Sequence, residues 1–442
     1  MRRKIYDQLV FWKEQGFVKP LLVVGARQIG KSWIIEEFLR QECSGRFQYL
    51  IFNLYDRADI RELFDRDIPT ETKITQLEIL HGSAIDFEHT VLFFDEVQES
   101  EGLIASLKYF AESPVPYKII CAGSLLRVKL KRMKKPFPVG KVEMLDMLPM
   151  DFEEYLWATG EDLLAWEIRR CSAASEPLLT PLHDKALGLM RNYLCCGGMP
   201  EVVASLVADG NRVLALNTAL LENIRRAYLA DMRRYVSSTA ESIKIEAVYD
   251  SIPSQLGNSA YKFMYSGIEK GARAREYQTA VEWLVSSGMV LRCNMVTLPQ
   301  IPLKVYQADG YFKLYLSDSG LLCNAVGLPY QQLLLDNDFF FKGVIIENYV
   351  ATQLLAARNP LFYWREGNTA EVDFLLTGTE CIMPLEVKSG RNKKSSSMRV
   401  FQERYKPPTI LRVSARNFGT DGAIRSIPLY ALFSLDGTSD YT

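Results

Sequence analysis

Gly25-Ala26-Arg27-Gln28-Ile29-Gly30-Lys31-Ser32 sets two glycines, a lysine and a hydroxyl at the spacing that a bound triphosphate requires. Glycine lets successive backbone N–H groups turn toward an anion, and a helix opening near Lys31 adds the positive end of its dipole. Lys31 would reach the β- and γ-phosphates and Ser32 would offer its hydroxyl to Mg²⁺, so ATP with Mg²⁺ is the ligand these eight residues imply. Further along, Val91-Leu92-Phe93-Phe94-Asp95-Glu96 ends an apolar strand on two carboxylates. Asp95 suits the magnesium shell, and Glu96 can orient and polarise an attacking water. Two acids capping a strand end is the bland alternative, and the paired loop upstream weighs against it. Ser124, closing Cys121-Ala122-Gly123-Ser124, could stand between Glu96 and the γ-phosphate as a polar sensor, or serve as an ordinary turn serine.

A loop of this kind needs a strand before it and a helix behind it. Leu21-Leu22-Val23-Val24 reads as that strand and Ser32 to Leu39 as that helix. Phe47 to Leu54, Thr90 to Phe94 and Tyr117 to Cys121 are short, β-rich runs that alternate with helical segments, as the βα units of a parallel sheet do. Between Asp151 and Tyr235 the apolar residues recur at helical spacing, which predicts a helical lid or bundle. Ser242 to Leu328 opens helix-rich, carries a periodic segment from Arg273 to Ser287, and then gives strand-like Met289 to Cys293 and Lys313 to Leu316. Helices followed by a hairpin suggest a winged-helix-like middle domain. The remainder predicts a helix over Phe339 to Ala357 and a meander of Leu361 to Arg365, Glu371 to Leu376 and Cys381 to Val387. A Ser/Lys-rich loop from Gly390 to Ser397 and a strand from Thr409 to Val413 follow. The expected class is α/β, divided at 1–160, 161–240, 241–330 and 335–442.

Single cores stop growing near roughly 250–300 residues, so a chain of 442 residues needs several domains. With 48% apolar and 24% charged residues it has the composition of a globular protein rather than a disordered or fibrous one. A formal charge of −1 supplies no overall field for nucleic acid, so contact with DNA would have to come from a local patch. Two are available: the run Lys129-Leu130-Lys131-Arg132-Met133-Lys134-Lys135, and Lys270, Arg273 and Arg275 at the start of a helix in the middle domain. Such runs more often face solvent. The eight cysteines, with Cys195 and Cys196 adjacent, have no zinc-ligand spacing and read as buried thiols. His81, His89 and His183 show no metal or triad spacing. No apolar run suits a membrane span or a signal peptide, so a cytoplasmic location without membrane contact is expected.

Several strings taken together carry a resemblance. They are the phosphate loop, Phe93-Phe94-Asp95-Glu96-Val97-Gln98, Ala122-Gly123-Ser124-Leu125-Leu126, Pro149-Met150-Asp151-Phe152-Glu153-Glu154-Tyr155 and Gly197-Gly198-Met199-Pro200-Glu201. Gly343 to Asn348, Glu371-Val372-Asp373-Phe374 and Leu385-Glu386-Val387-Lys388 complete the order. The chain resembles the prokaryotic AAA-type P-loop ATPases whose C-terminal domain, of unknown function, is similar to PD-(D/E)xK nucleases. The resemblance implies an AAA-type ATPase core and a C-terminal α/β nuclease-like domain. It further implies that Glu347 on a helix, Asp373 on a strand, and Glu386 with Lys388 on the next strand follow the nuclease order. Strand alternation puts Glu386 and Lys388 on one face. There Glu347, Asp373 and Glu386 could hold a second Mg²⁺ through hard oxygen ligands while Lys388 orients water toward a scissile phosphate. The same charges also suit a solvated sheet edge, or a nuclease fold kept for binding alone.

ATPases of this kind often take a cation from a neighbouring subunit, so a homo-oligomer is open, with Arg127, Arg132 and Lys141 as candidate donors. Lys141 stands where the resembled family has arginine, and lysine lacks the bidentate fork. Two readings follow: a DNA-associated ATPase with a nuclease-like domain, or an ATP-gated interaction protein whose C-terminal domain binds a partner without cleaving nucleic acid.

Overall fold

The computed structural model describes residues 1–115, 117–236, 238–258, 262–335, 339, 341–367, 370–388 and 396–436. The Ser/Lys-rich loop expected from Gly390 lies outside the described residues as far as 395, and a helix, Ser396–Tyr405, follows. Contacts gather the chain into two units. One comprises Arg2–Leu148 with Ser286–Gly288, and the other Pro149–Val285 and Met289–Thr442 with Met1.

The N-terminal unit is built on five parallel strands: β1 (Leu21–Gly25), β2 (Gln48–Asn53), β3 (Thr90–Asp95), β4 (Lys118–Ser124) and β5 (Glu143–Asp146). Their order is β2-β3-β4-β1-β5. Every residue of β3 and β4 is buried, as strands covered on both faces by helices must be. The edge strands β2 and β5 are mostly half-buried or exposed, and β5 gave no apolar run for a sequence reading to find. On one face Phe52 stacks on Phe94 at 5.4 Å and Phe64 meets Phe94 edge-on at 5.8 Å. Aromatic pairs of this geometry add about 1 kcal/mol each beyond the area they bury. Phe64 arrives on the helix Ala58–Asp65, whose Ile60, Leu63 and Phe64 form its buried stripe.

The larger unit contains two sheets among its described residues. β6 (Val290–Val296) and β7 (Gln307–Leu316) form the expected hairpin, with β7 much longer than Lys313 to Leu316. β6 also pairs in parallel with β8 (Phe362–Glu366), and β8 pairs with β9 (Ala370–Val372), giving the order β7-β6-β8-β9. The second sheet runs β10 (Phe374–Thr377), β11 (Ile382–Val387), β12 (Ile410–Ser414), β14 (Ile424–Pro428), β13 (Gly419–Asp421). The expected single strand from Glu371 to Leu376 is therefore corrected: it breaks at Asp373 into β9 and β10, which belong to different sheets. The Asp373 carboxylate itself accepts the backbone N–H of Val387 at 2.7 Å, a bond that a continuous ladder would have given to a carbonyl.

Several of the strings that carry the resemblance meet in one buried polar knot of this unit. Asp151 and Glu154 form a capping box at the start of the helix Phe152–Ala158. The Met150 N–H donates to Gly198 O at 2.7 Å, and the Tyr193 hydroxyl donates to Met150 O at 2.5 Å. Asp318 caps the helix Ser319–Ala325 through Leu321 N at 2.9 Å, and its other oxygen accepts Gly198 N at 2.6 Å. Asn348, from the Gly343 to Asn348 string, bonds both the N–H and the carbonyl of Leu316 with its side-chain amide, imitating a neighbouring strand.

Burial pushes the Asp318 carboxyl up to about 6, although the N–H groups of Gly198 and Leu321 favour its charged form. An unfolded aspartate titrates near about 4, so folding takes up a proton between these two values and stability rises as pH falls through that window. Moving from pH 7 to pH 5 should raise stability by about 1 kcal/mol through this group alone. Urea midpoints at the two pH values should show this increment in the natural chain and lack it in Asp318→Asn. An equal increment in both would assign the effect elsewhere.

Candidate nucleotide site and C-terminal acidic pocket

β1 ends on Gly25, and a Cβ there would lie 2.2 Å from the Met147 carbonyl, so the chain can leave the sheet at this point only without a side chain. Gln28 and Gly30 take left-handed backbone angles, φ 62° and 88°, which curl the loop before the helix Lys31–Phe38 begins. Buried Arg3 braces the turn from beneath, donating to Ile29 O at 2.9 Å and to Leu148 O at 2.6 Å. Nothing in the sequence marked Arg3 for this role, because the contact spans distant parts of the chain.

Lys31 is buried and folds back over the loop. Its Nζ donates to Ala26 O at 2.7 Å, Gly25 O at 3.2 Å and Ser124 Oγ at 3.0 Å. The Ser32 hydroxyl donates to Asp95 Oδ2 at 2.7 Å, while Asp95 Oδ1 accepts the N–H of Glu96. Burial and the charge of Glu96 hold the Asp95 carboxyl above its ordinary range, against the opposing effect of the Ser32 bond. A half-compensated carboxylate beside a hydroxyl fits a divalent ion, which neutralises triphosphate charge when bound. Glu96 sits at φ 53°, and its carboxylate accepts the Gln98 amide at 2.5 Å. A Cβ on Gly123 would lie 2.7 Å from Gln98 Oε1, so Gln98 is wedged between Glu96 and the end of β4. Gln98 belongs to a quoted string, yet its position against Glu96 emerges only in the fold. Ser124 meets Lys31, and no bond joins it to Glu96 among the described residues.

The surface cations considered for trans donation have partners at home. Arg127 forks onto Asp146 with bonds of 2.6 and 2.7 Å, and Lys141 pairs with Glu112 at 2.9 Å. In the basic run, Lys129 pairs with Glu101, and Lys135 donates to Asp65 O at 3.4 Å. Lys270, Arg273 and Arg275, by contrast, are exposed at and just before the start of the helix Ala274–Ser286.

In the C-terminal region the four nuclease-order residues fall into two groups. Glu347, on the helix Lys342–Ala356, accepts Lys313 Nζ at 2.9 Å and the Tyr315 hydroxyl at 2.6 Å through the same oxygen. Glu371 accepts Lys313 Nζ at 2.6 Å. Burial, then the charge of Glu347, pushes the neighbouring Asp373 carboxyl up to about 7, and Lys313 opposes that rise. Glu386 instead pairs with Lys388 at 2.9 Å, and Arg412 lies 3.7 Å from its other oxygen. Among the described residues, no three His, Cys, Asp or Glu side chains stand together as a metal-holding group. Lys313, the cation that the acids face, went unnoticed in the sequence because it comes from the hairpin.

Residues 18–156 match the family model described as an AAA domain. With the sheet order and the loop geometry, this defines residues 18–156 as an AAA-type domain. Residues 187–332 and 342–432 match two further models, each described as a domain of unknown function. The search of curated proteins gives no match. Among solved structures, the chain is similar to the Aeropyrum pernix ORC2 protein in ADPNP–ADP complexes. The TM-score is 0.35 at 11% identity, over 78% of this chain and 92% of that one. A replication initiator DnaA bound to AMPPCP and single-stranded DNA gives 0.30 at 13% identity, over 64% and 87%. Drosophila ORC bound to DNA gives 0.28 at 11%, over 71% and 90%. Similarity at this level assigns neither ligand nor partner to this chain. No helix among the described residues is long and apolar enough to cross a membrane.

Proposed function

We propose that this chain binds ATP with Mg²⁺ on the Gly25–Ser32 loop, hydrolyses it, and uses the cycle to govern contact with DNA. The observation that carries the first part is the 2.7 Å bond between Ser32 and Asp95, which joins the helix after β1 to the end of β3 across the intervening β4. Lys31 already holds an ammonium over the loop and would exchange the Gly25 and Ala26 carbonyls and the Ser124 hydroxyl for phosphate oxygens. Glu96 would turn from Gln98 to orient water. Replacing it by glutamine should leave ATP binding within about threefold of the natural chain and slow turnover at least about a hundredfold, the scale of losing one aligned catalytic group. Equilibrium binding and single-turnover hydrolysis separate the two, and turnover that survives would remove Glu96 from the mechanism.

Support for DNA is the exposed group Lys270, Arg273 and Arg275 at the head of a helix followed by the β6–β7 hairpin. ATPase rates measured with single-stranded, double-stranded and branched DNA test this part alone. Stimulation lost on replacing the three cations supports it, and no response to any form overturns it while leaving the nucleotide site untouched. Lys313 favours the reading in which the C-terminal α/β region binds without cleaving, since its ammonium faces the carboxylates that cleavage would require.

A further inference from the structure

We propose that Lys313 is the resident cation of the acidic pocket of Glu347, Glu371 and Asp373, holding the place that a divalent metal takes in nucleases of the resembled kind. The inference concerns the larger unit only and stands or falls independently of ATP hydrolysis.

Lys313 lies on β7 opposite Cys293 of β6 and is 7% exposed. Two carboxylates lie at ion-pair distance from its Nζ, 2.9 Å for Glu347 and 2.6 Å for Glu371. Those are nitrogen–oxygen distances of charge-assisted hydrogen bonds. The pocket is fitted to an ammonium on its other sides as well. Tyr315, two residues along and so on the same strand face, gives its hydroxyl to the same Glu347 oxygen at 2.6 Å. The ring of Tyr363, wholly buried on β8, has its centroid 5.3 Å from Nζ, within cation–π range.

A divalent ion here would need several oxygens converging at about 2.0–2.6 Å, and it would lie beside a buried like charge. The third ligand of the nuclease order is also engaged, because Glu386 pairs with Lys388 and lies beside Arg412. The donor set in this chain therefore does not fit a divalent metal. Two features show the space is nonetheless polar: Glu371 Oε2 and the Tyr363 hydroxyl are both buried without a hydrogen-bond partner among the described residues. Glu371 keeps 16% and Glu347 27% of its side chain exposed, so the pocket is open to ions. Taking away the ammonium would leave these carboxylates offset only in part, by the charge of Arg365 acting on Glu371, a condition that favours a hard cation.

The test uses the full chain carrying Asp95→Asn, which removes the carboxylate proposed to hold Mg²⁺ at the nucleotide site, and Mn²⁺ alone as the probe, followed by water-proton relaxation. With Lys313 present, no Mn²⁺ site sensitive to Asp373→Asn is expected. Lys313→Met should gain one site at least about tenfold tighter than any background binding. Adding Asp373→Asn should abolish it. Binding by the Lys313-containing chain that Asp373→Asn removes would overturn the proposal, as would a folded Lys313→Met chain that gains no site. Lys313→Gln, which retains a donor, serves where the methionine variant does not fold. If neither variant folds unaided, recovery of a cooperative unfolding transition with Mn²⁺ supports the proposal, and failure to recover overturns it.

Discussion

Lys31→Ala should abolish ATP turnover, lowering kcat at least about a hundredfold, because it removes the buried loop ammonium proposed to meet the charge that develops on the transferring phosphoryl group. Its partners include two loop carbonyls and the Ser124 hydroxyl, groups able to turn to water in the variant, so the unfolding midpoint should move little. The loss is therefore chemical and is read as turnover at saturating ATP alongside an unchanged urea transition. Ser32→Ala and Asp95→Asn should differ from it in kind. Each breaks the 2.7 Å pair that suits Mg²⁺ and should raise the Mg²⁺ concentration needed for half-maximal rate. Turnover that persists in purified Lys31→Ala would place any ATP chemistry of this chain elsewhere.

The second large effect concerns stability. A Cβ on Gly198 would lie 1.9 Å from the Met150 carbonyl oxygen, with Met150 C and N at 2.8 and 2.9 Å. All three are backbone atoms, and Met150 is held at that distance by its own bond to Gly198 O and by the Tyr193 hydroxyl. No side-chain rotation can relieve the clash. Gly198→Ala should cost about 3 kcal/mol, at the upper end of overpacking penalties, and appear as a lower urea midpoint. Gly188→Ala is the internal control: nothing lies within 4 Å of its added Cβ, and it sits within the helix Thr180–Cys196. There alanine should be neutral or stabilising by up to about 1 kcal/mol. Equal effects at the two positions would show that the knot around Met150 is not closed as described.

Gly198 illustrates why a motif can be legible and its meaning not. The string from Gly197 to Glu201 is recognisable in the sequence, and nothing local explains it. Its two glycines are required by residues far away along the chain, Gly198 by the Met150 backbone and Gly197 by the Asp318 carboxylate, which an added Cβ would strike. The phosphate loop is the opposite case. Its meaning is local, since a glycine-rich turn between an apolar strand and a helix makes an anion cradle wherever the rest of the chain goes. The strands β1 to β4 were legible for the same reason, as short apolar runs between polar segments. β5 was not, being four half-buried or exposed edge residues, nor was the helix Ala58–Asp65, although its Ile60, Leu63 and Phe64 spacing was there to be read.

At the C-terminus the sequence determined which residues carry charge and in what order: Glu347, Asp373, Glu386 and Lys388. Only the tertiary structure decided which of them meet. Asp373 breaks a strand and sends its two halves to different sheets, and a hairpin from the middle of the chain brings Lys313 to Glu347 and Glu371. Strand alternation fixes which face a residue occupies, but not which strand lies beside it. Charge compensation in a buried pocket depends on that neighbour, so it cannot be read along the chain.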